Sequence, residues 1–430
     1  MDKKKFLFIS HDALITDIAW QVIKEGHEAK YHIEQNDQKE IGDGFIPKSE
    51  DWQQDVDWAD VIVFDDGMGF GAKAQKLRKA GKAVVGGTSY TDKLEEDRSF
   101  GQEELKKMGI PIIPYWHFTS FDEAIAFVKA NPAKYVIKPS GEAQNNKQLL
   151  FIGEEDDGKD VLQVLEAYKK VWFKKIKAFQ LQKRVSGVEV AVGAFFNGQE
   201  FIYPINVNFE HKRLFPGDIG PLTGEMGTTM FWSMPNRIFN ATLKKFEETL
   251  KAEGYVGYID LNCIVNNNGI YPLEFTARFG YPTISIQQEG MITPISEFLY
   301  MIATGQNPKL KTKAGFQIGV MIVMPPSPFN SKEIFDIYSR DAAIIFRKPN
   351  TEGIHIYDVK SVNDEWVPTG TTGDVLLVCG TGQTMKQAQH QVYHRIKNII
   401  VPNMYYRTDI GDRWFEDSDK LHNWGYLRET

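Results

Sequence analysis

The chain has 430 residues, a net charge of −7, 42% apolar and 25% charged residues. That is a globular composition with room for several cores, and its acidic balance excludes the basic footprint of a nucleic-acid binder. The two cysteines, Cys263 and Cys379, form no CxxC pair, and no apolar run approaches the span of a bilayer. A zinc ribbon, a redox dithiol and a membrane partner are therefore excluded, and a reduced, cytoplasmic compartment is the default expectation.

In chain order, residues 6–9 read as an apolar strand, and 13–24 as a helix with Leu14, Ile18 and Val22 at every fourth position and Gly26 just beyond its end. Strands at 29–33, 61–64 and 83–85 and a helix at 72–80 continue the alternation, which implies a parallel sheet covered by helices on both faces. Helices are expected at 102–108, 122–130 and 161–172, and strands at 135–138, 149–152, 178–182 and 189–196. Residues 201–275 read as mostly strand, broken by a loop at 215–229 and a helix at 237–253. From 314 onward the pattern is β-rich with one long helix at 384–399.

Four segments carry chemistry. Lys138 ends an apolar strand before a loop and projects one cation, as a triphosphate requires. The following loop returns into the next strand as a flap bearing Lys147. The segment 210–227, EHKRLFPGDIGPLTGEMG, holds His211, Lys212, Arg213 and Asp218. Its Gly217, Gly220, Gly224 and Gly227 expose backbone N–H groups to a ligand. Finally, 257–262 and 271–280 read as two strands joined by a tight turn, and therefore antiparallel. Period two puts Asp260 and Asn262 on one face of the first strand, and Glu274, Thr276 and Arg278 on one face of the second. Facing carboxylates of this kind suit Mg²⁺, and Arg278 suits a phosphoryl or carboxylate group held bidentately.

These pieces occur in the order found in ATP-grasp enzymes, and they resemble the phosphoribosylamine–glycine ligase family. The family pattern DHKR…GDxDTGPNTGGMG resembles 210–227, LEFNxRFGDPE resembles LEFTARFGYPT at 273–283, VIKADG resembles VIKPSG at 136–141, and an LEGSKxF-like run resembles LEEDRSF at 94–100. The resemblance spans nearly the whole chain. It implies a multidomain α/β and α+β architecture: an N-terminal Rossmann-like domain (1–101), an ATP-grasp domain (102–313, small lobe about 115–190) and a C-terminal β-rich domain (314–430). It implies ATP with Mg²⁺ or Mn²⁺ as cofactors, Lys138, Lys147 and Lys212 on the phosphates, Gln182 and Val185 near the base, and Glu189 near the ribose. Glu274, with Asp260, Asn262 and Thr276, would hold the metal, and Arg278, Lys212 and Asp218 would serve catalysis. Gly220, Thr223, Gly224 and Arg278 would bind a small glycine-like carboxylate. The amine would dock near Ser10, His11, Gly67, Gly69 and Arg98.

The chain also departs from the family. Thr276 replaces the family's asparagine metal ligand, which leaves Asp260 or Asn262 to compensate. The flap has lost its glycines, the GGREHA loop reads SHDAL at 10–14, and Arg98 stands for the lysine of the SKxF run. Three readings follow: a ligase of glycine with phosphoribosylamine, a ligase with another acceptor amine, and a nucleotide-binding pseudoenzyme. Each would be a monomer or dimer acting on small molecules.

Overall fold

The computed structural model describes residues 1–65, 67, 69–141, 143 and 149–428. Strands β1 (Lys5–Ser10), β2 (Glu28–Ile33), β3 (Val61–Phe64) and β4 (Val84–Val85) form a parallel sheet in the order β2-β1-β3-β4. All four residues of β3 are buried, as a sheet covered on both faces demands. Strands β5 (Tyr115–Phe118), β6 (Tyr135–Pro139), β7 (Phe151–Ile152) and β8 (Phe179–Lys183) make a small antiparallel sheet, order β5-β8-β6-β7. The helices Phe121–Ala130 and Lys159–Val171 pack on it around Val128, Tyr135, Ile137, Val161, Leu165 and Leu181, a core of its own.

The third sheet organises the molecule. It is built from β9 (Val188–Asn197), β10 (Phe201–Glu210), β13 (Gly227–Ser233), β14 (Val256–Asn266) and β15 (Gly269–Thr276), with β11 (Arg213–Phe215) and β12 (Ile219–Leu222) forming a separate hairpin between β10 and β13. Three later strands, β16 (Phe316–Val323), β18 (Ile354–Ile356) and β21 (Asp374–Gly382), extend it to eight in the order β15-β14-β9-β10-β13-β16-β21-β18. Short pairs, β17 (Ile345–Phe346) with β22 (Ile399–Ile400) and β19 (Val359–Val362) with β20 (Glu365–Pro368), flank it. The expected boundary at 313/314 therefore falls within one continuous sheet.

Period two divides this sheet into unlike faces. Val188, Val190, Val192, Ala194 and Phe196 of β9, with Ile259, Leu261, Cys263 and Val265 of β14, pack against Ile238, Leu243, Leu250 and Leu421. On the opposite face, Phe195 and Tyr258 pack against the N-terminal unit through Phe279, Ile284 and Phe298. That face also carries the polar side chains of Glu189, Asn208, Asp260 and Asn262, which form the floor of the site described below.

Several expectations are corrected. The loop expected at 215–229 contains the β11–β12 hairpin and the start of β13. The helix expected at 237–253 is broken at Thr242 into Arg237–Ala241, a tight turn at Leu243–Phe246, and Glu247–Glu253. Further helices at Ser89–Glu96, Thr283–Gly290, Ile295–Ala303, Lys332–Tyr338 and Trp414–Asn423 were not anticipated. Thr283–Gly290 is buried at Thr283, Ile284, Ser285, Ile286, Gln287 and Gly290, so no amphipathic period marks it.

One buried knot joins three remote segments. Asp17, in the helix Thr16–Lys24, receives Ser285 Oγ at 3.0 Å and His355 Nδ1 at 2.7 Å. His355 Nε2 lies 3.3 Å from Glu289, and Arg395 donates to the Cys379 carbonyl at 2.7 Å beside them. Burial opposes a charge on His355, but Asp17 outweighs it and raises the imidazole well above its ordinary value. Burial likewise works against Glu289, yet His355 and Arg395 bring it down to about 2. A raised imidazole contributes stability that is complete below its unfolded value and is lost as pH rises through its folded one. A depressed carboxylate contributes stability that is lost as pH falls through its folded value. His355→Gln should therefore lower stability by about 3–5 kcal/mol. The loss should be largest between about pH 4.5 and 6.5 and shrink at higher pH. Chemical denaturation across pH 4–10 checks this, and a loss that grows toward high pH would contradict it.

Candidate functional site

The polar face begins with the β14–β15 pair, whose register sets Asn262 opposite Glu274 and Asp260 opposite Thr276. Neighbouring β9 and β10 add Glu189 and Glu210, and Asn262 Nδ2 donates to both, at 3.0 and 3.2 Å. Lys212, just past β10, lies 3.1 Å from Glu210, 3.2 Å from Glu189 and 3.5 Å from Glu274. Burial disfavours the ammonium, yet Glu210, Glu189 and Glu274 together raise it well above the ordinary lysine value. In return, Lys212 overcomes the burial of Glu189 and keeps it ionised. Asp260, 3% exposed, is pushed well up by burial and by Glu210, against the pull of Arg278. Gly193 of β9 is required here: a Cβ would lie 2.2 Å from the Tyr258 hydroxyl and 2.6 Å from Asp260 Cβ.

The small sheet supplies the opposing cations. Lys138 of β6 is pushed down to about 8 by burial and by Arg98, with Lys212 adding to the effect and Glu274 and Glu189 opposing it. Arg98 opens the helix Arg98–Lys107 and donates Nη1 to the Pro139 carbonyl at 3.2 Å, which holds it beside the strand end. Gln182 is buried in β8 opposite Val136 and Tyr115. Val185 lies in the connector that leads from β8 into β9 and Glu189. Lys147 lies outside the described residues.

Arg278 is held from a residue the sequence reading passed over. Its Nε lies 3.2 Å from Glu95, whose other oxygen accepts from the Ala277 N–H at 2.8 Å, and its Nη1 donates to the Phe279 carbonyl. Tyr281 stacks beside Arg278 at 5.7 Å and donates to the Asp65 carbonyl at 3.2 Å. That contact brings in the ends of the parallel sheet: Ser10 Oγ donates to Asp65, and His11 Nδ1 lies 3.3 Å from Glu34, which Lys73 also reaches. Gly67 and Gly69 stand in the same turn before the helix Phe70–Lys79.

The glycine-rich segment splits in two. At its base Thr223 donates through both N–H and Oγ1 to the Lys212 carbonyl, and Gly224 and Glu225 follow it. At its tip Asp218, expected among the catalytic groups, takes a left-handed φ of 55° and accepts from Arg407 at 2.7 Å and Arg413 at 3.2 Å. Arg407, 1% exposed, also holds Asp409, so Asp218 ties the hairpin to the C-terminal segment. Gly220 accepts from Arg213 on the exposed flank of the same hairpin, away from Thr223. Glu210 and Glu225 were not singled out beforehand. Glu210 was readable in principle, because a period of two puts it on the face of Lys212.

Among the described residues no group of three His, Cys, Asp or Glu forms a metal cage. Mg²⁺ needs only one or two carboxylates when phosphate oxygens complete its shell. The donor set fits that use, because Asn262 Oδ1 is buried without a hydrogen-bond partner beside Glu274. Lys138, depressed by burial and by the neighbouring Arg98, equally suits an anion set against it.

Comparison with known proteins gives the family and the fold. Residues 96–284 match the model of the phosphoribosylglycinamide synthetase ATP-grasp (A) domain, and residues 336–413 match its C domain. A phosphoribosylamine–glycine ligase from Lactococcus lactis is 25% identical over 346 residues, 78% of this chain and 79% of that one. One from Streptococcus pneumoniae is 25% identical over 84% of each chain. The crystal structure of phosphoribosylamine–glycine ligase from Thermotoga maritima matches with a TM-score of 0.71 at 21% identity, covering 94% of this chain and all of that one. The biotin carboxylase domain of Hydrogenobacter thermophilus 2-oxoglutarate carboxylase matches with a TM-score of 0.63 at 12% identity, covering 99% of each. The chain has the ATP-grasp fold and belongs, as a divergent member, to the phosphoribosylglycinamide synthetase family.

Proposed function

We propose that this chain is an ATP-dependent carboxylate–amine ligase that works through an acyl phosphate, with glycine and phosphoribosylamine, the pair in its relatives' names, as the first substrates to test. The observation that carries this reading is the pairing of a carboxylate floor around Lys212 with the cations Lys138 and Arg98 above it. Lys138, Arg98 and Lys212 would hold the phosphates of ATP, with Glu274, Asp260 and Asn262 on Mg²⁺, and the bound nucleotide supplies an activated phosphoryl group. Arg278, fixed by Glu95, orients the substrate carboxylate through its remaining donors. The carboxylate oxygen would attack the γ-phosphorus as ADP leaves with the electrons of the broken P–O bond; the amine nitrogen would then attack the acyl carbon, and phosphate leaves with the C–O bond electrons and takes up the amine proton. Positioning and charge neutralisation carry most of such a reaction, because phosphoryl transfer asks for little covalent chemistry from protein. The altered loop at 10–14, where His11 is engaged by Glu34, favours a second reading with another acceptor amine.

Hydroxylamine intercepts acyl phosphates without the natural acceptor. Incubation with Mg–ATP, hydroxylamine and a panel of small carboxylates should give hydroxamate and ADP together. Absence of both with every carboxylate would leave a nucleotide-binding pseudoenzyme, and phosphoribosylamine added to glycine separates the two ligase readings. Lys138→Ala should raise the ATP KM or lower kcat at least tenfold, about 1.4 kcal/mol or more, with the melting temperature retained. Glu274→Ala should abolish Mg²⁺-dependent turnover in a folded protein. Unchanged steady-state kinetics in either variant would remove that residue's role.

A further inference from the structure

Beyond the Lys212 cluster, the polar face holds acceptors that the reaction above does not use. Glu225, at the base of the hairpin, has Oε1 buried without a hydrogen-bond partner. Burial first, and then Glu210, Asp260 and Glu189, push its carboxyl well above the ordinary value, with Lys212 opposing them. Thr228 stands directly across from Glu210 in the β10–β13 register, fully buried, and its Oγ1 also has no partner. Asn208, the next residue of β10 on that face, is fully buried too. Its Nδ2 reaches the Tyr258 hydroxyl at 3.3 Å, while its Oδ1 has no partner. Thus two strands and a loop bring unpartnered acceptor oxygens and carboxyl groups to one part of the polar face.

Buried acceptors of this kind are costly unless a donor meets them. A divalent ion is the poorer match, because the ligase reading already gives it a place beside Glu274 and Asn262. A primary ammonium is the better one: it brings a full positive charge, three donors and no acceptor. Where the family pattern has glycine, this chain has Glu225, so the carboxylate is an addition to that site and not its common equipment.

We propose that Glu225, with Glu210, Asn208 and Thr228, forms a pocket for a primary ammonium group of the substrate. This rests on the ligase reading for its reaction, though the binding itself does not require turnover. The ammonium belongs either to an amino acid whose carboxylate is activated or to the incoming amine, and the two sources are separable.

Binding of glycine, acetate and methylammonium to the full chain, measured by calorimetry at pH 7.5 with Mg²⁺ and a non-hydrolysable ATP analogue, tests the proposal. The expected result is that glycine or methylammonium binds and that Glu225→Gln weakens it at least tenfold, with nucleotide affinity changed less than twofold. Loss for glycine with no methylammonium binding assigns the pocket to the amino acid, and loss for methylammonium alone assigns it to the acceptor. Equal affinity of wild type and Glu225→Gln for both amines, or acetate binding as tightly as glycine with methylammonium not binding, overturns the proposal. If Glu225→Gln does not fold, Thr228→Val reads the same pocket: a loss of at least threefold in amine affinity supports it, and no loss overturns it. Absence of hydroxamate in the wild type would defeat the ligase reading, while amine binding lost in Glu225→Gln would still stand.

Discussion

Lys212 meets three carboxylates from three strands of one sheet: Glu189 of β9, Glu210 of β10 and Glu274 of β15. Like charges brought together away from water repel one another, and each is driven toward its neutral form unless a cation intervenes. The sheet can present this polar face only because one ammonium lies among them, with Asn262 bridging Glu189 and Glu210. Position in the strand pattern produces that convergence. Glu210 and Lys212 follow each other with a period of two as the chain leaves β10, and Glu189 stands on the face of β9 opposite Val188, Val190 and Val192. The same alternation that builds the apolar core therefore builds the site.

Two further knots hold this floor in place from outside. His355, between Asp17 and Glu289, fastens the N-terminal helix and the late strands to the helix Thr283–Gly290, which packs over the sheet. Arg407 pins Asp218, and with it the hairpin whose base carries Thr223 and Glu225. Of the opposing cations, Lys138 comes from β6 of the small sheet, whose core is separate, and Arg98 from the helix Arg98–Lys107, whose Leu105 packs in the core of the large sheet. Lys138 is thus carried by a part packed apart from the floor, while Arg98 rests on the floor's own core.

Much of this was legible in the residues. The βαβ rhythm of the first hundred residues, the antiparallel 257–276 pair and the facing of Asn262 with Glu274 all follow from periodicity, because each strand buries one face against an apolar layer. What period and propensity could not reveal were groups placed by distant segments. Glu95 reaches Arg278 across 183 positions, and Asp218 meets Arg407 across 189. A polar residue that is matched only in the folded chain looks, in sequence, like any solvated charge. Asp218 illustrates the hazard: it stands in a glycine-rich, ligand-like loop, yet its partners are two arginines of the C-terminal segment. The helix Thr283–Gly290 escaped notice for the opposite reason, since burial on nearly all sides erases the amphipathic signal.

The replacement of the family's asparagine by Thr276 is where sequence and structure together say most. A threonine hydroxyl is a poorer metal ligand than an amide oxygen, and Thr276 is turned to Asp260, which it faces across the strand pair and hydrogen-bonds. An amide is nevertheless present one strand away. Asn262 stands in register with Glu274, spends its N–H donors on Glu189 and Glu210, and leaves its oxygen buried and without a partner. That orientation is imposed, because two carboxylates demand the donor end and so aim the acceptor end the other way. The donor lost from position 276 thus has a counterpart whose direction is fixed by the same carboxylates that hold Lys212. In the ligase reading proposed above, Asn262 would supply the amide oxygen that Thr276 does not.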